Sequence, residues 1–295
     1  MVTVSDDGGS SGRLRKELNM LPPGDIRNCI VALSEDEALL SKLFRHRFDR
    51  GSALEGHSFG NLFLAALTSI TEDFSEAVRL SSEILLTRGH IYPATTSNIE
   101  LEATMEDGTV VRGETNITAS KGRIRQLHLV PGDVKPMPQT LDAIARADLI
   151  TIGPGSLFTS LVPNLLVRGI PEAIMASPAT KVYICNLMTQ ANESLGLSAS
   201  EHIQALNRHA GCQIFDYALI NGTPASNEMK AKYATEGASQ IAVDLDAIRS
   251  LGAEPILGNY LTEENGIARH NTARVAGDLL QLAARGRSAT ADAAL

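Results

Sequence analysis

The sequence predicts an α/β fold: a Rossmann-like, mostly parallel sheet flanked by helices, with a small antiparallel β insertion. Three observations carry that expectation. Short aliphatic and β-branched runs end abruptly in polar loops, as in Ala147–Ile152 before Gly153-Pro154-Gly155-Ser156 and in Lys181–Met188 before Thr189-Gln190. Amphipathic helical stretches separate those runs, as a βα chain requires. Between about 94 and 135 the texture changes to alternation around Glu106-Asp107-Gly108-Thr109, the mark of a hairpin.

The chain has 295 residues, 43% of them hydrophobic and 20% charged, which fits one large domain or two closely joined ones. We read 1–284 as a single nucleotide-binding-like domain and 285–295 as a disordered tail. The formal charge of −8 argues against nucleic acid or an acidic membrane as partner, since both need a basic surface. Cys29, Cys185 and Cys212 are far apart and show no C-x-x-C spacing, so neither a disulfide framework nor a zinc site is indicated. A reducing cytoplasm fits that usage. No signal peptide is visible, and no apolar run approaches the roughly 20 residues that span a bilayer.

In chain order, Met1-Val2-Thr3-Val4-Ser5 reads as the tail of a strand. Asp6-Asp7-Gly8-Gly9-Ser10-Ser11-Gly12 follows, then a helix-like Arg13–Leu18. Strand, glycine-serine loop and helix in that order make an anion nest, from Gly8, Gly9, Ser10, Ser11 and Gly12. Asp6 and Asp7 add candidate metal ligands, because the hard cations that accompany phosphates prefer carboxylate oxygen; the bland alternative is a capped turn. Pro22-Pro23-Gly24 is a turn, followed by apolar Ile30–Leu33 and an amphipathic stretch from Ser34 to Phe48. Asp25 reads as an N-cap or a site residue, and Arg27 as a phosphate clamp or the partner of an acid.

Gly56-His57-Ser58-Phe59-Gly60 matches G-x-S-x-G, but the residues before it are polar and broken by glycine, whereas a nucleophile elbow needs a buried strand there. A helix N-terminus offering His57, Ser58 and Asn61 to a ligand is the better reading, with simple capping as its alternative. Thr71–Leu86 is an amphipathic core helix. Glu100–Met105, Val110–Thr115 and Ile124–Val130 are the strands of the insertion. A helix spans Gln139–Ala147, and the central strand ends in Gly153, Gly155 and Ser156, whose loop is the expected phosphate cradle. Helical structure follows in 163–175. The strand Lys181–Met188 presents Asn186, Thr189 and Gln190 at its end, where open sheets read ligands; a plain polar loop through Glu193 is the alternative. A helix at Ala199–Asn207, a strand at Tyr217–Asn221, a helix at Met229–Glu236, short strands at Ile241–Val243 and Glu254–Leu257, and a last helix at Thr272–Ala284 complete the reading. The P-loop pattern, H-E-x-x-H and a third glycine after Gly153-x-Gly155 are all missing.

Five segments taken together are similar to the YvcK-type gluconeogenesis factors: Ser5–Leu18, Pro22–Cys29, Gly56–Asn61, Gly153–Ser160 and Cys185–Gln190. That family sits with the 2-phospho-L-lactate transferases in a CofD-like superfamily, and the resemblance extends to about residue 284. It implies a Rossmann-like fold, a cytoplasmic location, binding of a nucleotide or nucleotide-sugar of the UDP-N-acetylglucosamine type, and a role in cell shape on gluconeogenic carbon sources. Homo-oligomers and cell-wall regulatory proteins are the implied protein partners, Mg²⁺ the implied cation at Asp6 and Asp7, and a phosphotransferase acting on a nucleoside-diphosphate-linked donor the enzymatic alternative. Family members carry an upstream strand and a Gly-Gly-Gly-Thr-Gly loop before the Ser5-Asp6-Asp7 segment. Their absence here leads us to expect an incomplete phosphate cradle. Catalytic roles do not transfer, because the transferase branch differs at the second aspartate.

Overall fold

The computed structural model describes residues 1–35, 39–49, 51, 53–120 and 122–293, the last seven of these by backbone alone. The chain opens in extended form. Val2 is hydrogen-bonded on both sides to the 92–94 segment (Val2 N–H to Tyr92 O 3.0 Å, Ala94 N–H to Val2 O 2.8 Å), a single bridge to Pro93 rather than the expected strand. Helices α1 (Gly9–Leu18), α2 (Gly24–Leu33), α3 (Leu39–Arg45), α4 (Phe59–Thr71) and α5 (Phe74–Ile84) follow. The amphipathic stretch expected from Ser34 is α3 in its second half, while residues 36–38 lie outside the described residues. The helix expected over Thr71–Leu86 is α5, shorter at both ends: α4 ends at Thr71, Glu72 turns at φ +56°, and Asp73 caps α5 by accepting from Glu76 N–H.

The insertion has three antiparallel strands in the order β2-β1-β3, formed by β1 (Glu100–Met105), β2 (Val110–Arg112) and β3 (Ile124–Val130). Strand β2 is shorter than its alternation suggests. At Gly113, φ is +85°, and helix α6 (Glu114–Ala119) begins directly after it. Leu101, Ala103 and Leu127 turn inward and are fully buried, so one sheet face joins the main core.

The second half alternates more regularly: α7 (Pro138–Ala145), β4 (Leu149–Ile152), a π-helical turn Leu157–Leu161 running into α8 (Val162–Leu165), α9 (Ile170–Ala176), β5 (Thr180–Ile184), α10 (Ala199–Ala210), β6 (Tyr217–Asn221), α11 (Asn227–Ala234), α12 (Leu245–Ser250) and β7 (Glu254–Gly258). All pairings in the sheet β4-β5-β6-β7 are parallel. This is the α/β sheet the sequence predicts, but β4 is an edge and not its centre. The physical reason is visible in its burial: Thr151 is exposed and its neighbours half-buried, whereas Val182 and Tyr183 of β5 are fully enclosed. Ile241–Val243 forms no strand, and a hairpin of β8 (Leu261–Glu264) and β9 (Ile267–His270) precedes α13 (Thr272–Ala293), which continues past Ala284. No described helix is long and apolar enough to cross a membrane.

Candidate functional site

The helices α1 and α4 bring their N-termini together. Ser58 caps α4, accepting from Asn61 N–H at 3.2 Å, which orients Asn61 back toward α1. The Asn61 side-chain amide donates to Ser10 Oγ at 3.1 Å and lies 3.5 Å from Ser11 Oγ. His57 Nδ1 stands 3.0 Å from Ser10 Oγ. Burial, then the Arg13 guanidinium, lower the His57 pKa, so a neutral ring accepting the Ser10 proton fits both contacts. Ser58 itself is fully buried and its hydroxyl serves the cap; among the described residues no base meets it, and no buried strand precedes it. The nucleophile-elbow geometry is therefore not formed.

Helix α2 closes the other side. Gly24 permits this approach: a Cβ there would stand 2.4 Å from Ser11 Oγ and 2.6 Å from Asp6 Oδ2. Asp25 lies inside the first turn of α2, whose N-cap is Pro23, so it is not the capping residue. Its carboxyl pKa is raised to about 6, by burial first and by the Asp6 charge second. Arg27 is 8% exposed, donates to Asn28 Oδ1 at 2.7 Å, and forms no ion pair among the described residues. Its Nε and the Oδ1 of Asn61 are buried and meet no partner among the described residues. Such groups are rare in folded chains because each forfeits its hydration.

The two aspartates differ. Asp6 Oδ1 accepts from Gly8 N–H at 2.9 Å in a tight turn. Asp7 Oδ1 accepts from Thr115 N–H (2.8 Å) and Thr115 Oγ1 (2.6 Å), thereby capping α6 from a distance. That contact positions Glu114, a residue our sequence reading placed in a strand. Burial and the charges of Asp6, Asp25, Asp7 and Glu193 raise its pKa to about 8. The only sequence signal for it was glutamate directly after a helix-starting glycine.

The remaining predicted residues form a second cluster at the ends of β4 and β5. Gly155 N–H donates to Asn186 Oδ1 at 3.2 Å, and the Asn186 amide returns a bond to Gly155 O at 2.7 Å. Gln190 Nε2 donates to Ser156 Oγ at 2.8 Å. Gly153 adopts φ +92°, and any Cβ there would come within 2.5 Å of Ile184 O. Glu193, read from sequence only as loop, is buried and accepts from Phe158 N–H (2.7 Å) and Thr159 N–H (2.9 Å). Thr189 is buried and paired with Ser239 through both its backbone N–H and its hydroxyl. Hydrogen bonds thus unite Ser10, Ser11, His57, Ser58 and Asn61 in one cluster, and Gly155, Ser156, Asn186 and Gln190 in another. The charges of Asp6, Asp25, Asp7 and Glu193 all act on Glu114.

Comparison with known proteins gives a consistent picture. The family model described as 2-phospho-L-lactate transferase CofD matches residues 1–261. The gluconeogenesis factor of Halalkalibacterium halodurans is 50% identical over 281 residues, 95% of this chain and 87% of that protein. That of Bacillus subtilis strain 168 is 49% identical over 282 residues, 96% and 89%. A crystal structure of a Bacillus halodurans protein superposes with a TM-score of 0.93 at 51% identity, covering 95% of this chain and 90% of the other. With a family model over most of its length, and half its residues shared with two such factors, the chain belongs to the CofD family and is similar throughout to the gluconeogenesis factors within it.

Proposed function

We propose that the protein is a cytoplasmic regulator that binds a nucleotide-sugar of the UDP-N-acetylglucosamine type and acts on cell shape and wall growth during gluconeogenic nutrition, through other copies of itself or wall-regulating proteins. The observation that carries this reading is a cluster of mixed charge where α1, α2 and α6 begin. Arg27 is a buried guanidinium in no ion pair among the described residues, acted on by the charges of Asp25 and Asp6, and burial together with the Asp6 charge raises the carboxyl pKa values of Asp25 and Glu114. A phosphate satisfies the first and a divalent cation the second.

The carboxylates fit Mg²⁺ in the way that cation usually binds, through one or two protein oxygens plus phosphates and water. Among the described residues no three His, Cys, Asp or Glu side chains form a preformed metal cage, so the ligand's phosphates would complete the shell. Asp6 is the residue to hold it, with Asp25 beside it. Asp7 has one carboxylate oxygen engaged by Thr115.

A second reading, transfer of a phosphoryl-containing group from a nucleoside-diphosphate-linked donor, draws on the transferase description of the matching family model. Turnover separates the two. We expect UDP-N-acetylglucosamine with Mg²⁺ to raise the melting temperature, Asp6→Asn to abolish the Mg²⁺-dependent part, and no product to form. Unchanged melting across UDP-sugars, with or without Mg²⁺, would sink the binding reading, and product from a nucleoside-diphosphate-linked donor would establish the transferase.

A further inference from the structure

The loop Gly153–Ser156 stands where an open α/β sheet usually holds phosphate. Three backbone donors in and after it are already engaged by the protein. Gly155 N–H meets Asn186, and the Phe158 and Thr159 N–H groups share the carboxylate of Glu193. An anion arriving there finds those two donors taken by the buried Glu193 carboxyl.

The opposite holds where α1 and α4 converge. Among the described residues, the N–H groups of Gly9, Ser10 and Ser11 in the first turn of α1 meet no acceptor. Arg27 Nε needs an acceptor and Asn61 Oδ1 needs a donor, and both side chains are more than nine-tenths buried. Three further guanidiniums surround this point. Arg13 donates to Glu55 O and Arg47 to Gly56 O, both beside His57, while Arg45 and Arg47 act electrostatically on Arg27. None of the four arginines is in an ion pair among the described residues, in a chain whose formal charge is −8. The nearby acids that reach the cluster are Asp6 and Asp25 on Arg27 and Glu17 on His57.

We infer that a diphosphate group seats at the junction of the α1 and α4 N-termini, against Arg27, Asn61 and Ser10 with Arg13, Arg45 and Arg47 around them, and that the Gly153–Ser156 loop is a structural turn. The unmatched atoms define the ligand's chemistry. Arg27 Nε and the α1 N–H groups take phosphate oxygens, and Asn61 Oδ1 takes a hydroxyl attached close to the phosphate, as on a sugar. This assignment rests on the nucleotide-sugar reading for the whole ligand, but the phosphate contacts stand or fall separately.

The test is calorimetric titration of the full chain with inorganic pyrophosphate and with UDP-N-acetylglucosamine. We expect pyrophosphate to bind and to compete with the sugar nucleotide. Arg27→Gln should weaken both by about 30-fold, the loss of a charge-assisted contact in a buried site. Arg45→Gln, at an exposed position, should weaken both by about threefold at low salt, an effect that disappears near 0.5 M KCl as screening shortens. Arg79→Gln, which removes the same charge from an exposed ion pair on α5, should change neither. If Arg27→Gln fails to fold, Arg45→Gln and its salt dependence decide. Pyrophosphate binding that is equal in wild type and both variants overturns the assignment. So does a wild type that binds the sugar nucleotide but not pyrophosphate, a result that leaves the broader reading standing. Arginine-dependent pyrophosphate binding without any sugar-nucleotide binding supports the assignment and sinks the broader reading.

Discussion

Glu114 is the residue whose surroundings disagree most with its chemistry. Its ordinary carboxyl value is 4.5, and burial with four neighbouring acids lifts it to about 8. A folded-state pKa above the unfolded one means the folded chain holds the extra proton. The stability it contributes is full below the ordinary value and is lost as pH rises through about 8. Glu114→Gln should therefore melt above wild type at roughly pH 8.5 and equal to it near pH 4. A constant difference at both pH values would remove the crowding argument. The partners of this residue also show where sequence reading stops. Ser10, Ser11, His57 and Asn61 were legible because glycine-serine loops and helix starts are local patterns. The burial of Arg27, the cap that Asp7 gives to α6 and the bond that Phe158 N–H donates to Glu193 depend on pairs far apart in the chain, which periodicity cannot see.

Among the elements, the turn from β4 into α8 is the best test of what glycine does here. A Cβ on Gly155 would stand 3.1 Å from Leu161 Cδ2, inside the packing of the π-helical turn. Gly155→Val should lower stability by about 1–3 kcal/mol through overpacking, read as a fall in the urea midpoint. Ligand affinity of the folded protein should change less than stability. A larger loss of affinity than of stability would restore the loop as the phosphate cradle. The strand before this turn was foreseen with almost its observed limits, since an aliphatic run stopped by Gly-Pro-Gly is an unambiguous pattern. Its place at the sheet edge was not, because strand order is decided by which helices cover which face. The β8-β9 hairpin was missed because Glu263 and Glu264 hide the alternation, and α6 because a Gly-Glu-Thr start resembles the tail of β2.

Across the molecule, one imidazole joins the antiparallel insertion to the parallel half. His209 of α10 hydrogen-bonds Ala205 O through Nδ1 (2.7 Å) and accepts Leu127 N–H of β3 through Nε2 (3.0 Å), so only the neutral ring makes both bonds. Burial, with smaller contributions from Arg208 and His128, lowers its pKa; the bond to Ala205 pulls the other way. For a histidine depressed in the folded state, stability is full above the ordinary value of 6.5 and falls as pH drops below it. His202, His270 and His57 are shifted in the same direction and add to that slope. His209→Phe should cost about 1–3 kcal/mol near pH 7.5 by stranding the Leu127 N–H. The gap to wild type should narrow by pH 5.5, as wild type loses the same contact; a gap independent of pH would show the ring to be packing alone.

The outer edge of β4 has a further consequence, for colloidal behaviour. No strand pairs with that side among the described residues, and a half-buried aliphatic strand with unpaired amides is a template onto which another extended chain adds. What holds copies of the protein apart is their mutual repulsion, which comes from the net negative charge and vanishes near pH 5.4. Acidification thus removes the repulsion between molecules while the depressed histidines cost stability within them, and the edge of the sheet meets its neighbours just where solubility is lowest.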